Sequence, residues 1–328
     1  MKDFGGVTRR SLLAGAAGAA VAGLSGGPAL AAAPMTNRPA PAHHRFKLGA
    51  FEVTIVSDGP LNIGPPKDGL LTGVTADDMK RALERQFLAP DAVEMEQNAL
   101  VVNTGKQLVL FDTGTGGLDT FGPNTGRLVR NLRAAGIRPA DIDAVMLTHA
   151  HADHCFGLMT AKGARVFPKA QIYMSQADFD FWTDESKAGG NDMMKMMIGG
   201  ARRNLLPNRD RIVFIKDGQE PVPGIQAMAT PGHTVGHLCF TIVSEGKMLF
   251  NLGDVAHHHV LSTEMPRAAF AYDTDGNQGV ATRLRVFDML VSGRTPIVAY
   301  HFPWPGLGYI GRAPVGYRYV PAPLRTVL

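Results

Sequence analysis

The chain is expected to fold as an α/β domain, because apolar runs of strand length alternate with segments of helical spacing over most of its 328 residues. Two further observations support this. Hydrophobic residues make up an ordinary globular 45%. Histidines and aspartates gather where the apolar runs stop, which is where a sheet presents polar side chains.

Residues 51–57, 99–103 and 107–111 read as strands, separated by turn-forming Gly, Asn and Asp, and predict an antiparallel start to a sheet. Residues 124–135 have helical spacing at Leu128, Val129 and Leu132, with Gly136 as the stop, and residues 142–147 return to a strand. The second half repeats the alternation. Helical character over 176–182 and 192–198 precedes strands near 212–215, 238–243 and 248–251, and a helix follows over 278–290. No close repeat of fixed period is present.

The first 31 residues read as an export signal. Thr8-Arg9-Arg10-Ser11-Leu12-Leu13 holds the paired arginines of a twin-arginine signal, an Ala- and Gly-rich apolar stretch follows, and Ala29-Leu30-Ala31 predicts cleavage before Ala32. The expected location is therefore periplasmic or secreted, with no stable membrane insertion once the signal is removed. Residues 32–47, rich in Ala, Pro and His, read as a flexible leader in which His43 and His44 are solvated rather than ligating, and residues 48–328 as one domain. The formal charge of +4 falls to +2 when Lys2, Asp3, Arg9 and Arg10 leave, so nucleic acid is not an expected partner. Cys155 and Cys239 exclude a disulfide framework; their apolar surroundings favour buried thiols over a single bridge.

The chemistry is concentrated in Thr148-His149-Ala150-His151-Ala152-Asp153-His154, which follows a strand-like run. In an extended turn His149 and His151 point the same way and can hold one ion, while Asp153 and His154 can reach a second. Imidazole and carboxylate suit zinc or a similar divalent ion, and the lack of thiolate favours a catalytic over a structural site. Three later strand ends add donors of the same type: His233 after Thr230-Pro231-Gly232, Asp254 after Asn251-Leu252-Gly253, and His301 after Val298-Ala299-Tyr300. A carboxylate at Asp254 could bridge two ions. His257-His258-His259 and His237 are read as loop or supporting residues, and Met193, Met194, Met196 and Met197 as core or flexible lining.

The H-x-H-x-D-H run with its distant His, Asp and His resembles the metallo-β-lactamase superfamily over essentially the whole mature chain. The resemblance implies a four-layer αβ/βα sandwich, two mixed sheets with helices on the outer faces. It implies that a first metal takes His149, His151 and His233, that a second takes Asp153, His154 and His301, and that Asp254 bridges them. The bridging carboxylate is a feature of dinuclear hydrolases and lactonases rather than true β-lactamases. The ending from Ala299 to Ile310 and Gly316-Tyr317-Arg318-Tyr319-Val320-Pro321 resembles the methyl parathion hydrolase subfamily, as do Val56-Ser57-Asp58-Gly59-Pro60 and Phe111-Asp112-Thr113-Gly114. That resemblance suggests Phe121 and Trp182 as pocket-lining residues, which core packing would explain equally well.

Two divalent ions per chain are thus expected, Zn2+ foremost, with Co2+, Mn2+ or Fe2+ as alternatives. A hydroxide shared by the two would attack a lactone or ester carbonyl, with Asp153 moving the proton to the leaving group. The alternative substrate is an organophosphate triester. A nuclease of the same superfamily would require a basic, RNA-gripping surface, which the sequence lacks. Asp112-Thr113-Gly114 spells the aspartic-protease triplet, yet no second copy exists, and it is read as an ordinary turn. The expected partner is a small-molecule substrate, and a homodimer stays open.

Overall fold

Strand alternation sorts the apolar side chains of this protein onto the two faces of each sheet. The computed structural model describes residues 33, 35, 36, 40–117, 121–189 and 191–325. The expected signal at 1–31 lies outside them. The strands are β1 (His43–Leu48), β2 (Phe51–Ser57), β3 (Leu61–Asn62), β4 (Glu94–Met95), β5 (Asn98–Asn103), β6 (Leu108–Phe111), β7 (Ala144–Met146) and β8 (Gln171–Met174) in the first half. They continue as β9 (Ile212–Phe214), β10 (Ile225–Ala229), β11 (Leu238–Ser244), β12 (Lys247–Asn251), β13 (Ile297–Val298), β14 (Leu307–Arg312) and β15 (Tyr317–Pro321). The α-helices are α1 (Ala76–Arg85), α2 (Leu128–Ala134), α3 (Ala152–Cys155), α4 (Gln176–Thr183), α5 (Asp192–Leu205), α6 (Leu261–Glu264) and α7 (Gly276–Gly293).

One mixed sheet runs β1-β2-β5-β6-β7-β8-β9 and the other β10-β11-β12-β13-β14-β15. Val101, Leu110 and Val145 face outward onto α2, α4 and α5. Their chain neighbours Val102, Val109 and Met146 turn inward to meet Ala227, Phe240 and Leu249 of the second sheet. On the far side of that sheet Phe250, Ile297 and Ile310 pack on Val286, Phe287 and Leu290 of α7. Period two thus generates the expected αβ/βα layering. Each fully buried Val, Leu, Ile or Phe contributes about 1.5–3 kcal/mol. Among the described residues no helix is long and apolar enough to cross a membrane.

Three expectations need correction. The leader does not extend to residue 47: His43–Leu48 is a strand, pairing antiparallel with β2 from His43 opposite Val56 to Leu48 opposite Phe51. As an edge strand half-buried over most of its length, it lacks the clean alternation that would have revealed it. The helix expected from 124 starts at Leu128, because buried Asp58 accepts from the amides of Gly126 and Leu128 and holds the preceding turn out of helical geometry. The helix expected over 192–198 continues to Leu205 through Gly199 and Gly200. Gly200 is required there, since a Cβ on it would sit 2.0 Å from the Phe156 ring.

Candidate metal centre

Four strand ends converge along one edge of the sandwich. β7 leads into Thr148 and the loop carrying His149, His151, Asp153 and His154, the last two on the short helix α3. β10, β12 and β13 each run a few residues past their ends to His233, Asp254 and His301. The first sheet therefore supplies one set of donors in a single run, and the second sheet supplies three from separate loops.

Asp254 Oδ2 lies at the middle. It is 3.1 Å from His301 Nε2, 3.3 Å from His154 Nε2, 3.4 Å from His233 Nε2 and 3.8 Å from His149 Nε2. On one side, His233 Nε2 is 2.9 Å from His151 Nδ1, and with His149 they form a group able to hold an ion. On the other, Asp153 Oδ2 is 3.4 Å from His154 Nε2 and 3.3 Å from His301 Nε2, forming a second group. The structure brings together all of the sequence-selected donors.

A metal fits this arrangement on the chemistry of its orphaned atoms. His149 Nε2, His154 Nε2 and Asp254 Oδ1 are buried without any hydrogen-bond partner, and leaving such groups unpaired costs about 1–3 kcal/mol each. Burial and neighbouring histidines push His149 and His151 well below the ordinary imidazole range, keeping their lone pairs free. Burial also opposes charge on His301, but the Asp254 and Asp153 carboxylates outweigh it and push that group up to about 10. Cations between the carboxylates would take the place of those protons.

Groups behind the donors set their orientation. Asp112, which the sequence suggested was an ordinary turn residue, is buried with its carboxylate 2.9 Å from His154 Nδ1 and accepts from the Thr148 amide. His301 Nδ1 is 2.8 Å from the Glu96 carbonyl. Asp254 donates its amide to His237 Nε2 at 2.9 Å, giving His237 the expected supporting role, and burial lowers that imidazole to about 3. Asp178 accepts from the amides of Ala150 and Gly236, tying the first donor loop to the His233 loop. Tyr300 donates to the Asp153 carbonyl at 2.6 Å while its ring lies over His154. Of these, only His237 was singled out from sequence as a supporting residue; Asp112 and Tyr300 stood in segments noted for their resemblance without a role, and Glu96 and Asp178 have no local pattern to mark them.

The remaining selected residues take varied places. Trp182 is buried, its ring edge-to-face with His151 at 4.8 Å, and its indole N–H has no partner. Phe121 is partly buried against the same apolar cluster. Of the two readings, loop or supporting residue, His257 takes the second, with Nε2 3.0 Å from His233 Nδ1. His258 instead accepts the amides of Val260 and Leu261. Cys155 and Cys239 are free and buried. A cavity of about 550 Å³ between Glu264–Ala268 and Arg312–Tyr317 lies apart from these donors.

Known proteins are similar to this chain in sequence and fold. The dizinc quorum-quenching lactonase AidC, solved with the product N-hexanoyl-L-homoserine, is 26% identical, with a TM-score of 0.81 over 88% of this chain and 100% of its own. The hydrolase AbOPH of the beta-lactamase superfamily is 27% identical, with the same score and coverage. An N-acyl homoserine lactonase from a Bacillus species is 29% identical over 44% of this chain and 51% of its own. An atrochrysone carboxyl ACP thioesterase from Passalora fulva is 27% identical over 56% of this chain and 40% of its own. The chain spans about half the length of the curated relatives it matches first. The family model described as Metallo-beta-lactamase superfamily matches residues 93–270, more than half of the sequence, and the chain belongs to that superfamily.

Proposed function

We propose that this protein is a dinuclear hydrolase that opens a lactone or cleaves a similar ester, with two zinc ions as its native metals. The observation that carries this reading is the pair of donor groups sharing Asp254, whose Oδ2 faces imidazoles of both sets within 3.8 Å. Divalent ions, when bound, supply Lewis acidity and a water acid enough to react near neutral pH. The residues do the rest. His149 Nε2, His151 Nδ1 and His233 Nε2 would hold one ion, and Asp153 Oδ2, His154 Nε2 and His301 Nε2 the other, with the Asp254 carboxylate facing both sets. Asp153, whose side chain is 13% exposed against 0% and 3% for the His154 and His301 beside it, is placed to pass a proton to the departing oxygen. Trp182 supplies an apolar wall beside His151, and Phe121 packs against the same apolar cluster.

The lactonase relatives support a lactone substrate, and the resemblance of the 299–310 ending to methyl parathion hydrolases supports a phosphotriester as the second reading. A panel of N-acyl homoserine lactones, aryl lactones, aryl esters, thioesters and phosphotriesters, compared by kcat/KM on zinc-loaded protein, tests the proposal. Lactones should lead by at least tenfold. A phosphotriester or thioester in first place would replace the lactone reading, and no hydrolysis of any would remove it. Export through the twin-arginine route is also proposed; replacing Arg9 and Arg10 by Lys should leave precursor in the cytoplasm, and unchanged export would refute it.

A further inference from the structure

Among the imidazoles of the first donor group, His233 stands apart: His149 and His151 share one loop, whereas His233 comes alone from the loop after β10. Its Nε2 faces the cluster and its Nδ1 faces away, 3.0 Å from Asp273 Oδ1. Asp273 is buried on the turn before α7, where its other oxygen accepts the Phe270 amide at 3.0 Å and lies 3.6 Å from Arg283 Nη2. Arg283, on α7, is only 2% exposed. Its Nε donates to the carbonyl of Val255, next to Asp254, and its Nη1 donates to the carbonyls of Pro266 and Ala268.

The surrounding backbone is equally committed. Thr274 and Asp275 donate their amides to the carbonyls of His233 and Gly232, and Thr282 donates to that of Pro231. Gly232 has a φ of +131°, and a Cβ there would fall 2.2 Å from the Gly279 nitrogen. The start of α7 is thus pressed directly onto the His233 loop. Burying a guanidinium costs several kcal/mol unless it is paired and fully hydrogen-bonded. Arg283 offsets that cost with three carbonyl hydrogen bonds from Nε and Nη1 and with the Asp273 carboxylate 3.6 Å from Nη2, and so touches the His233 and Asp254 neighbourhoods at once.

We propose that Asp273 and Arg283 are a positioning pair for the ion held by His149, His151 and His233. Asp273 accepts the proton on His233 Nδ1, which fixes the tautomer and aims the Nε2 lone pair at the ion. Arg283 fixes the Asp273 carboxylate and, through Val255, holds the Asp254 loop in register with it. His257 Nε2, also 3.0 Å from His233 Nδ1, is a neutral and weaker acceptor for the same proton. The proposal rests on the metal-centre reading above.

The test uses full-length mature protein stripped of metal and refilled with Co2+. Three things are measured on wild type, Asp273→Asn and Arg283→Lys: affinity by chelator competition, the visible cobalt bands, and the melting temperature of the metal-free form. In Asp273→Asn an amide nitrogen or a neutral oxygen replaces the charged acceptor. One of two cobalt ions should then bind about 10- to 100-fold more weakly with a changed spectrum. The metal-free melting temperature should fall as well, because Asn leaves the buried Arg283 without its carboxylate partner, so the affinities and the spectrum decide the test. Arg283→Lys, which keeps the charge but loses the fork, should give a smaller loss at the same ion, and it carries the test if Asp273→Asn does not fold. A pair that only anchors α7 would lower the metal-free melting temperature and leave both affinities and the spectrum unchanged, which overturns the proposal. Wild type that takes up no stoichiometric cobalt overturns the metal-centre reading and this proposal with it.

Discussion

Replacing Trp182 with Phe separates a substrate contact from simple packing. The indole is 3% exposed, packs on His151 and Phe181, and buries an N–H with no partner. An unpaired buried donor costs about 1–3 kcal/mol. Phe removes that cost but gives up roughly 50 Å² of buried aromatic surface, worth about 1 kcal/mol at about 25 cal/mol per Å². The two effects offset, so unfolding free energy should change by no more than about 1–2 kcal/mol, whereas Trp182→Ala should cost about 3–5 kcal/mol. If a substrate oxygen completes the N–H in the Michaelis complex, Phe forfeits a neutral hydrogen bond of about 0.5–1.5 kcal/mol, a rise in KM of about 2- to 10-fold. The rise should appear with an N-acyl homoserine lactone, whose amide carbonyl can accept, and be absent with an unsubstituted lactone of the same ring. Urea unfolding and steady-state kinetics on both substrates give all the quantities needed. Equal changes in KM for both lactones, or a large stability loss with unchanged kinetics, would show that Trp182 is a core residue alone.

Asp254→Asn should reduce bound metal from two ions to one or fewer per chain and lower kcat far more than it raises KM, because its Oδ2 faces both donor sets. Elemental analysis that still finds two ions in a fully active variant would refute the bridging role. Asp58 predicts a pH effect. Burial pushes its carboxyl up to about 6 although the Thr115, Leu128 and Gly126 amides donate to it. The folded form thus binds this proton more tightly than the unfolded chain, so the stability it contributes is complete below about pH 4 and lost as pH rises through about 6. A shift of about 2 units corresponds to about 3 kcal/mol. Between pH 7.5 and 4, the difference in unfolding free energy between metal-free wild type and Asp58→Asn should therefore move toward wild type by up to that amount, and a flat difference would contradict the assignment.

What the sequence made legible follows from how tightly each feature is tied to local pattern. Strands β2, β5, β6, β11 and β12 announced themselves because most of their residues are buried between layers, which demands mainly apolar runs. α1 went unread despite its Thr75 capping box, since it covers only the small cluster around Met79 and Leu83. β14 and β15, with Gly and Arg among their residues, carry little apolar signal. The metal donors were legible because only His and Asp can serve, and they stand in a compact run or directly after strands. Asp112, Asp178, Asp273 and Arg283 were not, because each acts through a contact with a residue at least 10 positions away in sequence, and a single buried charge looks like any solvated one.

Those unread residues explain why the site needs the whole fold. His149, His151, Asp153 and His154 belong to the first sheet, and His233, Asp254 and His301 to the second, so neither donor group closes until the two sheets pack. Asp112 anchors His154 from the first sheet, while Asp273 and Arg283 anchor His233 and the Asp254 loop from the α7 side of the second. Asp178 joins the halves by accepting one amide from each donor loop. Ions bound here would therefore cross-link the sheets, stabilising the folded state by about 4 kcal/mol for each independent ion whose free concentration is a thousandfold above its Kd. The same packing that brings the donors within reach also buries the carboxylates behind them, although Asp112 and Asp273 each reach a single donor imidazole and Asp178 reaches only the donor loops' amides.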